Sequence, residues 1–299
     1  MNNKPVRFHT LVRQVRLHGE LVALTPLRIG AGRSYDALGD DLPVVKDTLD
    51  RPVIPGSSLK GALRAYAESL LRTLQPMVQS NGKQRLSCAP LTKPCLSNDQ
   101  VKALKQEKDA DDKLSEKSCW ACRLFGAPWL ASKMLVRDLP VREPTWLKEF
   151  GHRDGVSIDR DARTAQNQKR YTFELVPEGT VFDFSLIVDG ASDAELGLFL
   201  LTLEGIRHGY ILLGGARSRG LGDVALNVAW DAVQEITPDN ALEALGNRAI
   251  GRDATTTLWS AAQREAWMLA FLRAIDLPET MIERWQTARN RQQEESSHD

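Results

Sequence analysis

Apolar residues recur along this chain with two periods, and each period marks a different kind of element. Val15, Leu17 and then Leu21 fall at partly alternating positions, so the stretch from Gln14 to Ile29 reads as one or two strands. A short strand, Pro43-Val-Val-Lys-Asp47, leads through the Asp50-Arg-Pro turn to a helix expected over Ser58 to Leu74. There Leu59, Leu63, Tyr66 and Leu70 recur at helical spacing with Leu71 beside them. Phe182, Phe184, Leu186 and Val188 alternate on one strand face. Ser192-Asp-Ala-Glu195 forms a capping box that opens a second helix, whose core face is Leu196, Phe199, Leu200, Leu203 and Ile206. A last strand carries Val224, Leu226 and Val228. The order strand, helix, strands, helix, strand predicts an α+β fold with a ferredoxin-like sheet over residues 1–230.

Three segments depart from that pattern. Residues 76–118 are polar and irregular and include the charged run from Lys105 to Lys113; they read as an insertion with too little apolar surface to order itself. Residues 151–170 have almost no apolar positions beyond Val156 and Ile158 and read as an exposed excursion. Residues 231–285 look helical and rather independent, and the tail from Arg289 reads as disordered.

Composition sets outer limits. A chain of 299 residues with 42% hydrophobic and 26% charged residues is ordinary for a soluble globular protein. The formal net charge of zero argues against nucleic-acid binding by bulk charge, though not against a local basic groove. Arg153, Arg160, Arg163, Lys169 and Arg170 form one cationic cluster, and Arg207, Arg217 and Arg219 another. No apolar run reaches membrane-spanning length and the N-terminus has no apolar signal core, so a cytoplasmic protein without membrane contact is expected.

Four groups of residues could carry chemistry. Cys88 and Cys95 form one pair, and Cys119-Trp-Ala-Cys122 a second with the spacing common to zinc sites. Four thiolates fill a tetrahedral ion's coordination, which implies structural and not catalytic zinc; four unrelated reduced thiols are the alternative. At Pro55-Gly-Ser-Ser-Leu-Lys-Gly-Ala-Leu-Arg64, Ser57 or Ser58 can cap free helix amides. Lys60 and Arg64 add cations at the positive end of the helix, a combination that suits a phosphate. The glycine-rich stretch Gly214-Gly-Ala-Arg-Ser-Arg-Gly-Leu-Gly222, with Gly215, Arg217, Arg219 and Gly220, is a turn or a phosphate loop; it fits neither a Walker loop nor a dinucleotide fingerprint. Gly39-Asp-Asp-Leu-Pro43 places Asp40 and Asp41 on a loop, as turn chemistry or as a carboxylate acting beside an RNA 2′-hydroxyl.

Taken together and in order, these motifs resemble the RAMP superfamily, specifically the Csm/Cmr-type backbone subunits of type III CRISPR–Cas effector complexes. The resemblance runs through Thr25-Pro-Leu-Arg-Ile-Gly-Ala-Gly32, then Asp41-Leu-Pro-Val-Val-Lys-Asp47 into the Pro52–Arg64 stretch, and Cys119-Trp-Ala-Cys-Arg-Leu-Phe-Gly126. It continues in Gly155–Thr164, Val176–Phe182 and the glycine-rich loop. It implies an RRM-like palm with a zinc-bearing finger inserted at about 76–125, a projecting thumb at about 151–175 and a helical C-terminal extension from 231. It also implies that copies or related RAMP subunits stack head to tail along a CRISPR guide RNA beside other type III subunits. Such a subunit cleaves single-stranded target RNA through a loop aspartate, with Mg2+ or Mn2+ and attack by the adjacent 2′-hydroxyl. Asp41 occupies that aspartate's position with Asp40 as rival. Arg28, Ser57, Ser58, Lys60, Arg64, Arg160, Arg163, Gly214, Gly215, Arg217, Arg219 and Gly220 match the RNA-contacting positions.

Overall fold

A computed structural model describes residues 11–33, 41–79, 85–159, 161, 164–251 and 259–296. In chain order its elements are β1 (Gln14–Ala23), β2 (Val53–Ile54), α1 (Gly56–Leu74), α2 (Asn98–Leu104), α3 (Ala110–Glu116) and α4 (Trp120–Phe125). There follow β3 (Met134–Val136), β4 (Leu139–Pro140), β5 (Gly151–Asp159), β6 (Thr164–Leu175), β7 (Val181–Asp189) and α5 (Asp193–Arg207). The chain closes with β8 (Val224–Val228), β9 (Gln234–Ile236), α6 (Ala241–Ala249), α7 (Ala261–Ala274) and α8 (Glu279–Ser296).

The main sheet has the order β3-β7-β1-β8, with β9 added on β1, and its pairings are antiparallel. Alternation along β1 turns Val15, Leu17, Leu21 and Ala23 inward, and register pairs Leu17 with Leu186 and Leu21 with both Phe182 and Leu226. Against that face α1 packs Leu59, Leu63, Ala67 and Leu71, and α5 packs Leu196, Phe199, Leu203 and Ile206. The α5 capping box is formed as the sequence implies, Ser192 Oγ accepting from Glu195 N and the Glu195 carboxylate accepting from Ser192 N.

Helix α1 starts at Gly56, two residues before its expected start, and Pro55 stands at the cap with no side-chain bond. The capping acceptor is instead distant in sequence: Asp138 Oδ1 takes the Gly56 N–H at 2.8 Å. Residues 43–47 make isolated bridges, Gly30 to Val44 and Lys46 to Pro52, and not a regular strand.

The segment after 231 is not independent. Helix α5 is buried on both faces, so its outer side needs a cover, and α7 supplies it. The crossing is close: a Cβ on Gly197 would fall 2.1 Å from the Trp267 carbonyl oxygen. Trp259, Trp267 and Phe271 thereby join the main core. Helix α8 continues to Ser296, beyond the point where the sequence suggests disorder, because Arg, Gln and Glu are all good helix formers. No helix among the described residues is long and apolar enough to cross a membrane.

Candidate functional site

Strands β5 and β6 form a two-stranded sheet of their own, in register from Gly151–Leu175 to Asp159–Thr164 with a shift between Val156 and Ile158, and β6 also bridges Leu42 at Phe173. Arg160 and Arg163 lie outside the described residues, as does Asp40. At the foot of this hairpin, Phe173, Leu175 and Leu221 form a small separate core joined by Leu42, Tyr171 and Ala216. That core unites three chain segments: the acidic loop through Leu42, the hairpin through β6, and the glycine-rich loop through Ala216 and Leu221.

Asp41 sits against this foot. Its Oδ2 accepts from Thr172 N at 2.9 Å, and its own N–H reaches Thr172 Oγ1 at 3.4 Å. The next residues continue along β6: Glu174 N donates to Leu42 O at 3.2 Å, and Val44 N donates to Glu174 Oε2 at 3.1 Å. Lys46 completes the tie with a 2.9 Å ion pair to the buried Glu174. Beside β6, and reached by the acidic loop through Leu42, a cleft of about 370 Å³ is lined by Arg28, Leu42, Tyr171, Phe173, Ala216, Ser218 and Arg219. The Arg28 guanidinium lies 5.5 Å from the Phe173 ring centre, and its buried Nε has no hydrogen-bond partner among the described residues. Arg219 donates to the Tyr171 hydroxyl at 2.9 Å. Arg28 and Arg219 thus face one cleft with two aromatic rings, an arrangement suited to a phosphate and a base in succession.

The glycine-rich loop is held by its backbone. Gly215 N donates to Arg28 O at 2.8 Å and Gly222 N to Pro26 O at 3.1 Å. Gly214 adopts φ +79°, and a Cβ there would lie 2.1 Å from the Arg28 carbonyl oxygen. We expect Gly214→Ala to cost about 1–3 kcal/mol through strain and loss of this contact. A thermal melt reads it as a lower Tm, and an unchanged Tm would mean that the loop re-routes at no cost. Arg217 to Arg219 form one 3-10 turn between Ala216 and Gly220, both at positive φ, leaving Arg217 exposed.

The cations of the α1 start point elsewhere. Lys60 Nζ donates to Ser132 Oγ at 2.8 Å. Arg64 gives Nε to Glu68 at 2.8 Å, one terminal nitrogen to Gly126 O at 2.9 Å and the other to Cys122 Sγ at 3.8 Å. Burial, then the nearby Arg64 charge, holds the Lys60 ammonium below its ordinary range, so an arriving anion would relieve it. Ser57 and Gly61 are exposed beside it, while Ser58 is half-buried. The acidic loop, Arg28 and the glycine loop therefore meet at one cleft, whereas Lys60 and Arg64 turn toward the cysteines.

Cys88, Cys95, Cys119 and Cys122 bring their four sulfurs within 4.8 Å of one another. Cys119 precedes the first residue of α4 and Cys122 lies in its first turn, so one short helix presents both. The Cys88–Cys122 sulfur separation is 3.6 Å, against ~3.8 Å across a tetrahedral ion with ~2.3 Å Zn–S bonds. Hydrogen bonds from Cys122 and then Cys95 pull the Cys119 thiol far below its usual range, and the same bonds push Cys122 and Cys95 up. One thiolate is thus shared among neighbours, and a cation is what would let the others ionise. The donor set fits a metal ion held with four thiolates. Cys88, Cys119 and Cys122 belong to the main core, while Leu96, Leu104 and Leu114 of the same segment form a satellite cluster.

Sequence reasoning missed Thr172, Tyr171 and Phe173, whose stretch has the plain alternation of a strand. It also missed Asp138 and Glu174, acids whose partners lie far away in the chain. No local signal marks them.

The fold and cleft define an antiparallel α/β protein with a glycine-rich loop at one end of its sheet, and comparison with known proteins agrees. The RAMP superfamily model matches residues 20–225, and the chain belongs to that superfamily. It is 28% identical over 235 residues to the CRISPR system Cms endoribonuclease Csm3 of Methanothermobacter thermautotrophicus, covering 69% of this chain and 80% of that protein. It is 26% identical over 217 residues to the protein of the same name from Streptococcus thermophilus, covering 71% and 86%. A 57-residue stretch is 49% identical to the Mycobacterium tuberculosis protein of that name, covering 18% of this chain and 24% of that protein.

Proposed function

We propose that this chain is a backbone subunit of a type III CRISPR–Cas ribonucleoprotein, binding guide RNA and cleaving complementary single-stranded target RNA through Asp41. The observation that carries the reading is the Asp41 carboxylate fixed on Thr172 N at the foot of a two-stranded hairpin, next to a cleft with Arg28 and Arg219. In this reading the main sheet with α1 and α5 is an RRM-like palm, β5–β6 the thumb, and the segment with the four cysteines a zinc-bearing finger. Gly214, Gly215, Gly220, Arg217, Arg219 and Arg28 hold guide phosphates through amides and guanidinium groups. Ser57, Ser58, Lys60 and Arg64 hold a further stretch, and Arg160 and Arg163 reach the RNA from the hairpin. Contacts of this kind position a backbone without reading sequence, which reconciles RNA binding with zero net charge. Head-to-tail copies or related RAMP subunits, and other type III subunits, are its partners.

Asp41 acts where the hairpin interrupts the guide–target duplex. The target 2′-hydroxyl gives its proton to a water held by Asp41 and attacks the adjacent phosphorus, and the 5′-oxygen takes a proton from water as it leaves. The products are a 2′,3′-cyclic phosphate and a 5′-hydroxyl. Mg2+ or Mn2+, when bound, would offset charge on the phosphate, with Asp41 as one ligand and water and substrate supplying the rest. Asp41 holds the proton acceptor in place, and Arg28 and Arg219 balance the phosphate's charge.

In the assembled complex, Asp41→Ala is expected to lower target cleavage at least ~100-fold while guide RNA remains bound. The assay is gel analysis of end-labelled target beside quantification of co-purified guide. Undiminished cleavage would transfer the role to Asp40 or remove catalysis from this subunit. A non-catalytic scaffold is the second reading, favoured by the same bond: Asp41 already serves a structural purpose by accepting from Thr172.

A further inference from the structure

One aromatic group lies outside the cleft. The Tyr210 ring, just past the end of α5, is 73% exposed. Its plane is within 3° of the Tyr66 ring, with centroids 6.5 Å apart, and the His208 ring centre is 6.5 Å from its own at 43°. The surroundings hold this pair in place. A Cβ on Gly205 would lie 2.2 Å from the Tyr66 ring, so the glycine forms the notch that seats Tyr66. Tyr210 N donates to Gly205 O at 2.9 Å, and Gly209 at φ +71° turns the chain there. Gly209 also lies beside the carboxylate of Asp223, the residue that follows the glycine-rich loop. Leu213, whose N–H closes that loop on Gly222 O, is three residues further on, at most ~11 Å along the chain.

We infer that Tyr210, backed by Tyr66, is a stacking platform for one unpaired base of the RNA that the glycine-rich loop holds. The inference rests on the RNA-binding reading above and adds a contact to it. The Tyr210 ring is largely exposed yet set parallel to Tyr66 on a fixed turn, so little side-chain freedom is lost when a flat ligand arrives. Every base has a flat face of matching size. The Arg207 guanidinium close by is already paired with Glu204 at 2.6 Å. A phosphate gains little there, so the ring face is what offers binding.

The experiment measures the affinity of the full chain for a single-stranded RNA oligonucleotide across a salt series. Tyr210→Ala is expected to weaken binding ~5–150-fold, the equivalent of one stacked base, and Tyr210→Phe to stay within about twofold of wild type. The slope of log K against log salt should not change in Tyr210→Ala, whereas Arg217→Ala should reduce it by about one. An oligonucleotide of abasic units should bind wild type and Tyr210→Ala alike. If wild type binds no RNA, the function and this inference fall together. RNA binding undiminished by Tyr210→Ala overturns the inference alone, as does a variant that loses subunit assembly at unchanged RNA affinity, which would assign the ring to a protein partner. A reduced salt slope in Tyr210→Ala would overturn stacking in favour of a phosphate contact.

Discussion

Glu195→Ala is expected to destabilise the fold by about 3–5 kcal/mol, because it leaves two cations inside the protein without their shared anion. The Glu195 side chain is fully buried, with Lys133 at 2.6 Å and Arg123 at 3.0 Å on its two oxygens. Lys133 is 7% exposed, and burial holds its ammonium below the ordinary lysine range. For Glu195, burial pushes the carboxyl up, but Lys133 and then Arg123 pull it further down, so the net shift is downward. A carboxyl depressed by folding contributes stability that is present above the unfolded pKa of ~4.3 and lost as pH falls through its folded value. Urea titrations at neutral pH should show a lower midpoint for Glu195→Ala. Glu195→Gln, which keeps the shape and some bonds, should fall between, with stability less steeply dependent on pH below ~4. Equal midpoints for Glu195→Ala and wild type would mean that the triad contributes nothing.

Second in size is the thiol cluster. We expect about one zinc ion per chain by elemental analysis, and none in the Cys119→Ser/Cys122→Ser double variant. Metal-dependent folding energy in small zinc domains runs to ~10 kcal/mol. Here the shared core would survive in part, so the expected loss is several kcal/mol, seen as a much lower Tm and early proteolysis between residues 76 and 125. Arg64 adds a long-range element: it links the Cys122 sulfur to Gly126 O and Glu68, so loss of the metal should also loosen α1. Protein purified without chelators that contains no metal, and melts as the double variant does, would refute the site.

Strand and helix periodicity made β1, β7, β8, α5 and its cap legible, because those elements bury one face or start on a local hydrogen-bond exchange. Strands β3 and β9, of three residues each, are too short to show alternation, and β9 lies in the segment read as helical. The cysteine spacing made the cluster legible for the same reason, two ligands sharing one short helix. What stayed hidden depends on sequence separation. Asp138 caps α1 from 82 residues away, and Thr172 holds Asp41 from 131 away. Nothing in Ser57 or Ser58 could reveal that the first helix amide was already satisfied. The C-terminal segment misled for another reason: it carries ample apolar residues of its own, so it looks self-contained until the outer face of α5 is seen to need it.

The family match ends at residue 225, yet the cover over α5 comes from Trp259, Trp267 and Phe271. A minimal version cut to the matched region would put a greasy, two-sided helix in contact with solvent. Anyone trimming this subunit for crystallisation or engineering should treat α7 as part of the smallest soluble piece.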